Sequence, residues 1–148
     1  MTPDEIADVL DRMAAYVGEH GLARGDFYDG KRACTFGAAY VSITGERRCI
    51  LPGNPLLPKV NAVEVALSSF LGLPVEVLMQ GNPLVAWSDA TPEAEVIAAY
   101  RACAADQRAK AHPHLPPAPH DPALSLGRAR RGDPRADAAA GLSVESTR

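Results

Sequence analysis

Apolar positions recur at three-to-four spacing near the start of the chain. Ile6, Val9, Leu10, Met13, Ala14 and Val17 trace one face of an α-helix. Thr2 and Glu5 form a capping box ahead of that face, and Pro3 suits a first helical turn. Asp4, Glu5, Asp8 and Asp11 favour the positive end of the helix dipole. His20-Gly21 is a stop signal, with Gly21 expected in the left-handed conformation. The pattern predicts a helix over 3–20. Residues 22–33 carry no period, and Asp29-Gly30, between Phe27-Tyr28 and Lys31-Arg32, fits a short hairpin.

A second helix is expected over 34–44, stopped by Gly45. Its Gly37, Ala38 and Ala39 predict close approach by the first or the last helix, because small side chains allow near contact. Pro52, Gly53, Asn54, Pro55 and Pro58 make 46–60 a loop, with a short strand an option at Arg48–Leu51. Asn61-x-x-Glu64 reads as a capping box opening a third helix that runs to Leu71 with Val63, Ala66, Leu67, Phe70 and Leu71 on its apolar side. Gly72 and Pro74 end it. Residues 74–78 fit a strand or a further helical turn, Gln80-Gly81-Asn82 a turn, and Pro83–Trp87 one helical turn. Thr91-Pro92 repeats the cap-then-proline signal before a last helix over 92–109, with Val96, Ile97, Tyr100, Cys103 and Ala104 on one face. The expected fold class is mainly α: a compact four-helix bundle-like domain over 1–110 with a short hairpin. Short strands in 22–33 and 46–60 would move it toward α+β.

Beyond residue 110 the pattern lapses. All eight aromatic residues lie before residue 101, and 111–148 has only five large aliphatics, Leu115, Leu124, Leu126, Leu142 and Val144, among six prolines. So little apolar surface does not offset an ordering cost of roughly 1–2 kcal/mol per residue. The expectation for 111–148 is a disordered tail. Charge divides in the same place. Residues 1–110 carry ten Lys and Arg against fourteen Asp and Glu, whereas the tail carries five against four. An acidic body repels phosphate, which argues against a nucleic-acid platform.

The apolar runs are far shorter than a membrane-spanning helix needs, and the acidic start lacks the character of a signal peptide. Cys34, Cys49 and Cys103 form no Cys-x-x-Cys pair, which argues against a disulfide framework or structural zinc. Reduced thiols in a cytoplasm are the simplest expectation.

Three segments carry a resemblance: Glu19-His20-Gly21-Leu22-Ala23-Arg24-Gly25, then Ala33-Cys34-Thr35-Phe36-Gly37-Ala38, then Ala86-Trp87-Ser88-Asp89 followed by Thr91 and Glu95-Val96-Ile97. In this order they resemble an uncharacterised family of small helical proteins from high-GC bacteria and their phages, over roughly residues 6–105. Its members read Glu-x-Gly-Trp-x-x-Gly, then Cys-Ala-Leu-Gly-Ala, then Trp-Asn-Asp. Leu22 stands here where Trp is usual, and Ser88 where Asn is usual. The resemblance implies a helical fold and supplies no mechanism. A phage or mobile-element origin favours a partner-binding accessory protein.

Candidate chemistry gathers at two places. Cys34, His20 and Asp89 are the residue types of a nucleophile, a base and an orienting acid, with Cys34 near a helix N-terminus that lowers a thiol pKa. Against this, cysteine is commonly a small buried hydrophobe, and a histidine at a helix end commonly caps. Trp87, Ser88 and Asp89 suit a binding platform, or equally a core anchor with Ser88 or Asp89 capping the last helix. In the tail, Lys110-x-x-Pro113-x-x-Pro116 matches a polyproline ligand. His112, His114 and His120 are weak metal donors, and Arg128, Arg130, Arg131 and Arg135 form a basic cluster. No phosphate loop, dinucleotide fingerprint, His-Glu-x-x-His or Gly-x-Ser-x-Gly is present, and neither a cofactor nor a metal is expected.

The leading expectation is a non-enzymatic cytoplasmic protein that binds another protein. The alternatives are a thiol-dependent enzyme using Cys34 and a nucleic-acid-associated factor using the tail arginines.

Overall fold

The first helix forms where its apolar stripe ends in strong caps. In the structure, a computed structural model that describes residues 1–48, 53–75 and 82–114, α1 spans Pro3–His20. The Thr2 hydroxyl accepts the Glu5 amide at 3.2 Å, and the Glu5 carboxylate accepts the Thr2 amide at 2.7 Å. The two bonds satisfy N–H groups that a helix start leaves orphaned. All six residues of the stripe are buried. Gly21 has φ 90° and ψ 163°. Its φ is positive as expected, but its ψ is extended, so it is not left-handed helical; the chain leaves α1 to run alongside the hairpin.

That hairpin is Tyr28–Asp29 (β1) paired antiparallel with Arg32–Ala33 (β2), in register Tyr28 with Ala33 and Asp29 with Arg32. Gly30, φ 59°, takes the turn with Lys31. A parallel bridge joins Leu22 to Ala33. Helix α2 follows at Thr35–Thr44, with Cys34 outside it as the cap. Gly37 explains the small residues of this segment: a Cβ there would lie 2.6 Å from the Phe27 carbonyl oxygen. The close neighbour at Gly37 itself is therefore the backbone entering the hairpin, while α2 also packs on α1, as its small residues predict.

Helix α3 spans Leu57–Leu71, four residues longer at its start than the Asn61 capping box predicts. Pro58 lies in its first turn, where a missing N–H costs nothing, and Glu64 turns inward rather than back to a cap. Helix α4 spans Pro83–Ala90 and α5 spans Glu93–Ala111. The described residues thus hold five helices where four are expected, because 83–90 makes a full helix rather than one turn.

Helices α1 and α5 form the most extensive pair. They run antiparallel: Gly18 approaches Ile97, while Asp4 meets His112 at 3.1 Å. Leu10, Met13, Val17, Val96 and Tyr100 are fully buried between and beside them, each large aliphatic stabilising the fold by roughly 1.5–3 kcal/mol. On the outer edge Arg108 reaches Asp8 at 3.0 Å and Asp11 at 2.7 Å. Helices α2 and α3 close the other side of this core. All described elements lie in one unit, Met1–Leu115. No helix among the described residues is long and apolar enough to cross a membrane. The strand options at 48–51 and 74–78, the turn at 80–82, Cys49 and the tail from residue 115 fall wholly or in part outside the described residues.

Candidate functional site

The three segments that carry the family resemblance meet in one corner. Arg24, in the chain between α1 and the hairpin, spans the junction of α4 and α5. Its guanidinium donates to the carbonyls of Ser88 (3.1 Å), Asp89 and Thr91 (2.7 Å). The last carbonyls of a helix have no partner within it, and a cation there also complements the negative end of the dipole. Two neighbouring amides are held as well. Leu22 N–H donates to Glu93 Oε2 at 2.8 Å, and Gly25 N–H donates to Asp89 Oδ2 at 3.3 Å.

Ser88, Asp89 and Thr91 therefore do not cap the last helix. Pro92 is the N-cap of α5, with no side-chain cap bond. Ser88 is fully buried and its hydroxyl donates to the Val85 carbonyl at 2.9 Å; Thr91 donates to the Trp87 carbonyl at 2.6 Å. The three polar side chains are consumed by α4 and the Arg24 segment. Asp89 keeps one oxygen, Oδ1, buried without a hydrogen-bond partner. Trp87 is half-buried and packs on the core.

Cys34 caps α2. Its Sγ accepts the Gly37 amide at 3.4 Å, and its own N–H donates to the Phe27 carbonyl at 3.0 Å. Burial pushes the thiol pKa up. The Gly37 and Phe36 amides pull it down, and the charges of Asp89 and Glu64 push it up again, leaving it raised. A thiol held neutral is a poor nucleophile. The His20 ring meets Tyr16 edge-on at 4.5 Å and its Nε2 lies 3.8 Å from Glu19. Among the described residues no hydrogen bond or ion pair joins His20 to Cys34. Nor does any hydrogen bond or ion pair among the described residues join Cys34 to Asp89, although the Ala33 amide donates to the Gly21 carbonyl at 3.4 Å and so holds the chain segments of Cys34 and His20 side by side.

The corner encloses a cavity of about 110 Å³ lined by Gly25, Asp26, Phe27, Cys34, Phe36, Asn82 and Val85. Phe27 and Phe36 meet edge-to-face at 5.5 Å. Asn82 is held by its cap role, its Oδ1 accepting the Leu84 amide at 2.9 Å at the start of α4. Trp87, Ser88 and Asp89 lie on the same helix as Val85 but do not line this space. Drug-sized ligands occupy roughly 300–1,000 Å³, so the cavity has room for one small apolar group.

Two residues escaped sequence reasoning. Arg24 carries no local signal, since its three acceptors lie more than sixty positions away. Glu64 had a signal that pointed elsewhere. Its carboxyl is buried with Oε1 unpartnered, and burial pushes its pKa up to about 7. Its charge reaches Tyr100, whose OH shares a buried hydrogen bond of 2.8 Å with Thr35 Oγ1. No group of three or more His, Cys, Asp or Glu placed to hold a metal occurs among the described residues. His112 is taken up by Asp4, and His120 falls outside the described residues.

No curated protein and no solved structure matches the chain. A family model does match, over residues 1–106, a span that contains the whole corner. The chain belongs to DUF6197, a family of unknown function.

Proposed function

We propose that this protein is a non-enzymatic binding protein that receives one apolar side chain of a partner protein in the cavity between the hairpin, the start of α2 and α4. The observation that carries this is the cavity's character. Phe27, Phe36 and Val85 wall a space of about 110 Å³, which suits a single anchoring side chain rather than a free metabolite. The Arg24 clamp holds the surrounding backbone, so the space is preformed and little ordering is needed on binding. Cys34, a capping and lining residue with a raised pKa, does not act as a nucleophile. A cytoplasmic location fits Cys34 and Cys103 as free thiols, and the family resemblance favours an accessory role in a phage or mobile element.

Filling the cavity tests the proposal. Tagged wild-type protein, Val85→Trp and Phe70→Ser are used as baits in the native host, with melting followed for each. Phe70 is exposed on α3, away from the cavity lining. A partner retained by wild type and Phe70→Ser but lost from Val85→Trp, at unchanged melting, is the expected result. A partner retained equally by all three refutes the assignment to this cavity. Iodoacetamide reacting with Cys34 faster than with free cysteine at neutral pH would favour the thiol enzyme instead. Salt-dependent DNA or RNA binding that disappears on truncation at Lys110 would favour the tail arginines.

A further inference from the structure

Glu64 sits on the inward face of α3, among Val60, Val63 and Leu67, which are fully buried; its own residue exposure is 6%. Its Oε1 has no hydrogen-bond partner. The titratable groups that feel its charge are Cys34, at the cap of α2, and Tyr100, on α5. Both are neutral near pH 7, and their own pKa values are raised by burial. The Tyr100 hydroxyl is already engaged with Thr35. From α1, which also packs on α3, Glu5, Asp8 and Arg12 come together with Lys59 at the start of α3; Arg12 is engaged with the Ser42 carbonyl, and none of these groups bonds to Glu64 among the described residues. Lys59, the cation of α3, is exposed one turn and more toward the helix start. An ionised carboxylate therefore has no counter-charge here, and an unpaired buried charge is strongly disfavoured.

We propose that Glu64 is a proton-operated latch: its protonated form lets α3 seat on α1, α2 and α5, and its ionisation lifts the middle of α3 off that core. The latch does not depend on the binding reading above. Its direction follows from burial. Burial pushes the native carboxyl pKa up to about 7 from the ordinary 4.5. The stability it contributes is full below pH 4.5 and is lost as pH rises toward 7. The charge of ionised Glu64 also raises the pKa of Cys34, which lines the cavity.

Hydrogen exchange on the full chain, corrected for intrinsic rates, tests the latch at about pH 5.5 and pH 8. The expected result is a loss of protection in the Val60–Leu67 amides of at least about tenfold, the factor equivalent to one pKa unit, beyond any loss in α1 and α5. Glu64→Gln abolishes that difference. Protection of α3 that is independent of pH, or a loss shared equally by α1 and α5, overturns the proposal. Should Glu64→Gln fail to fold, carboxyl carbon NMR of the wild type decides the matter. A Glu64 midpoint near 7 supports the latch, and one near 4.5 overturns it.

Discussion

The α1–α5 pair and the corner around the cavity are held by different kinds of contact. Between α1 and α5 the contacts are side chain to side chain: Leu10, Met13, Val17 and Val96 inside, with Arg108, Asp8 and Asp11 along the rim. In the corner the contacts run from side chains to main chain. Arg24 holds three carbonyls, Glu93 and Asp89 hold two amides, and Cys34 holds a third. Side-chain burial makes a stable pair, but it leaves no space. Main-chain clamping holds short segments apart as firmly as together, which is how a cavity survives next to a close-packed core.

Substitutions sharpen this contrast. Met13→Ala, in the α1–α5 core, is expected to cost about 2–5 kcal/mol in chemical denaturation and to leave the cavity intact. Glu64→Gln acts in the opposite direction. It is expected to stabilise the protein by roughly 3 kcal/mol at pH 8, from a pKa raised to about 7. The gain shrinks as pH falls through 7 toward 4.5, where the wild-type carboxyl is protonated in both states. Denaturation midpoints across that range check the sign. Gly37→Ala is expected to cost about 1–3 kcal/mol, because its Cβ would press on the Phe27 carbonyl oxygen and push the hairpin from α2. It is also expected to weaken partner binding, since Phe27 lines the cavity. The smallest effect belongs to the rim of the helix pair. Arg108 is a substantially exposed ion-pair partner, so Arg108→Ala is expected to change stability by less than about 1 kcal/mol, and less at high salt.

Local signals foretold local structure. The Thr2–Glu5 box and the stripe from Ile6 to Val17 announce α1, and Asp29-Gly30 announces the hairpin, since each depends on residues a few positions apart. Capping patterns misled where one residue type serves two ends. Ser88 and Asp89 in the last turn of α4 and Thr91 just beyond it precede α5, and the sequence alone does not say whether they serve the helix behind or the one ahead. Asn61-x-x-Glu64 has the spacing of a capping box, yet Glu64 faces the core, and its spacing looks the same either way. The candidate site was legible only in part. Cys34 was marked by type and position, but Arg24 bonds to carbonyls more than sixty positions away and Val85 lines the cavity with Phe27 from a distant part of the chain, for which the pattern of a single chain holds no sign.

The claim that a partner's side chain enters the cavity is tested most directly by photocrosslinking from its rim. A benzophenone amino acid replaces Asp26, which lines the opening, and in a parallel protein replaces Ala98, exposed on α5. A partner occupying the cavity gives a crosslinked protein from position 26, none from position 98, and loss of the crosslink when Val85→Trp is added. A crosslink from position 26 that persists with Val85→Trp, or one equally strong from position 98, would contradict the claim.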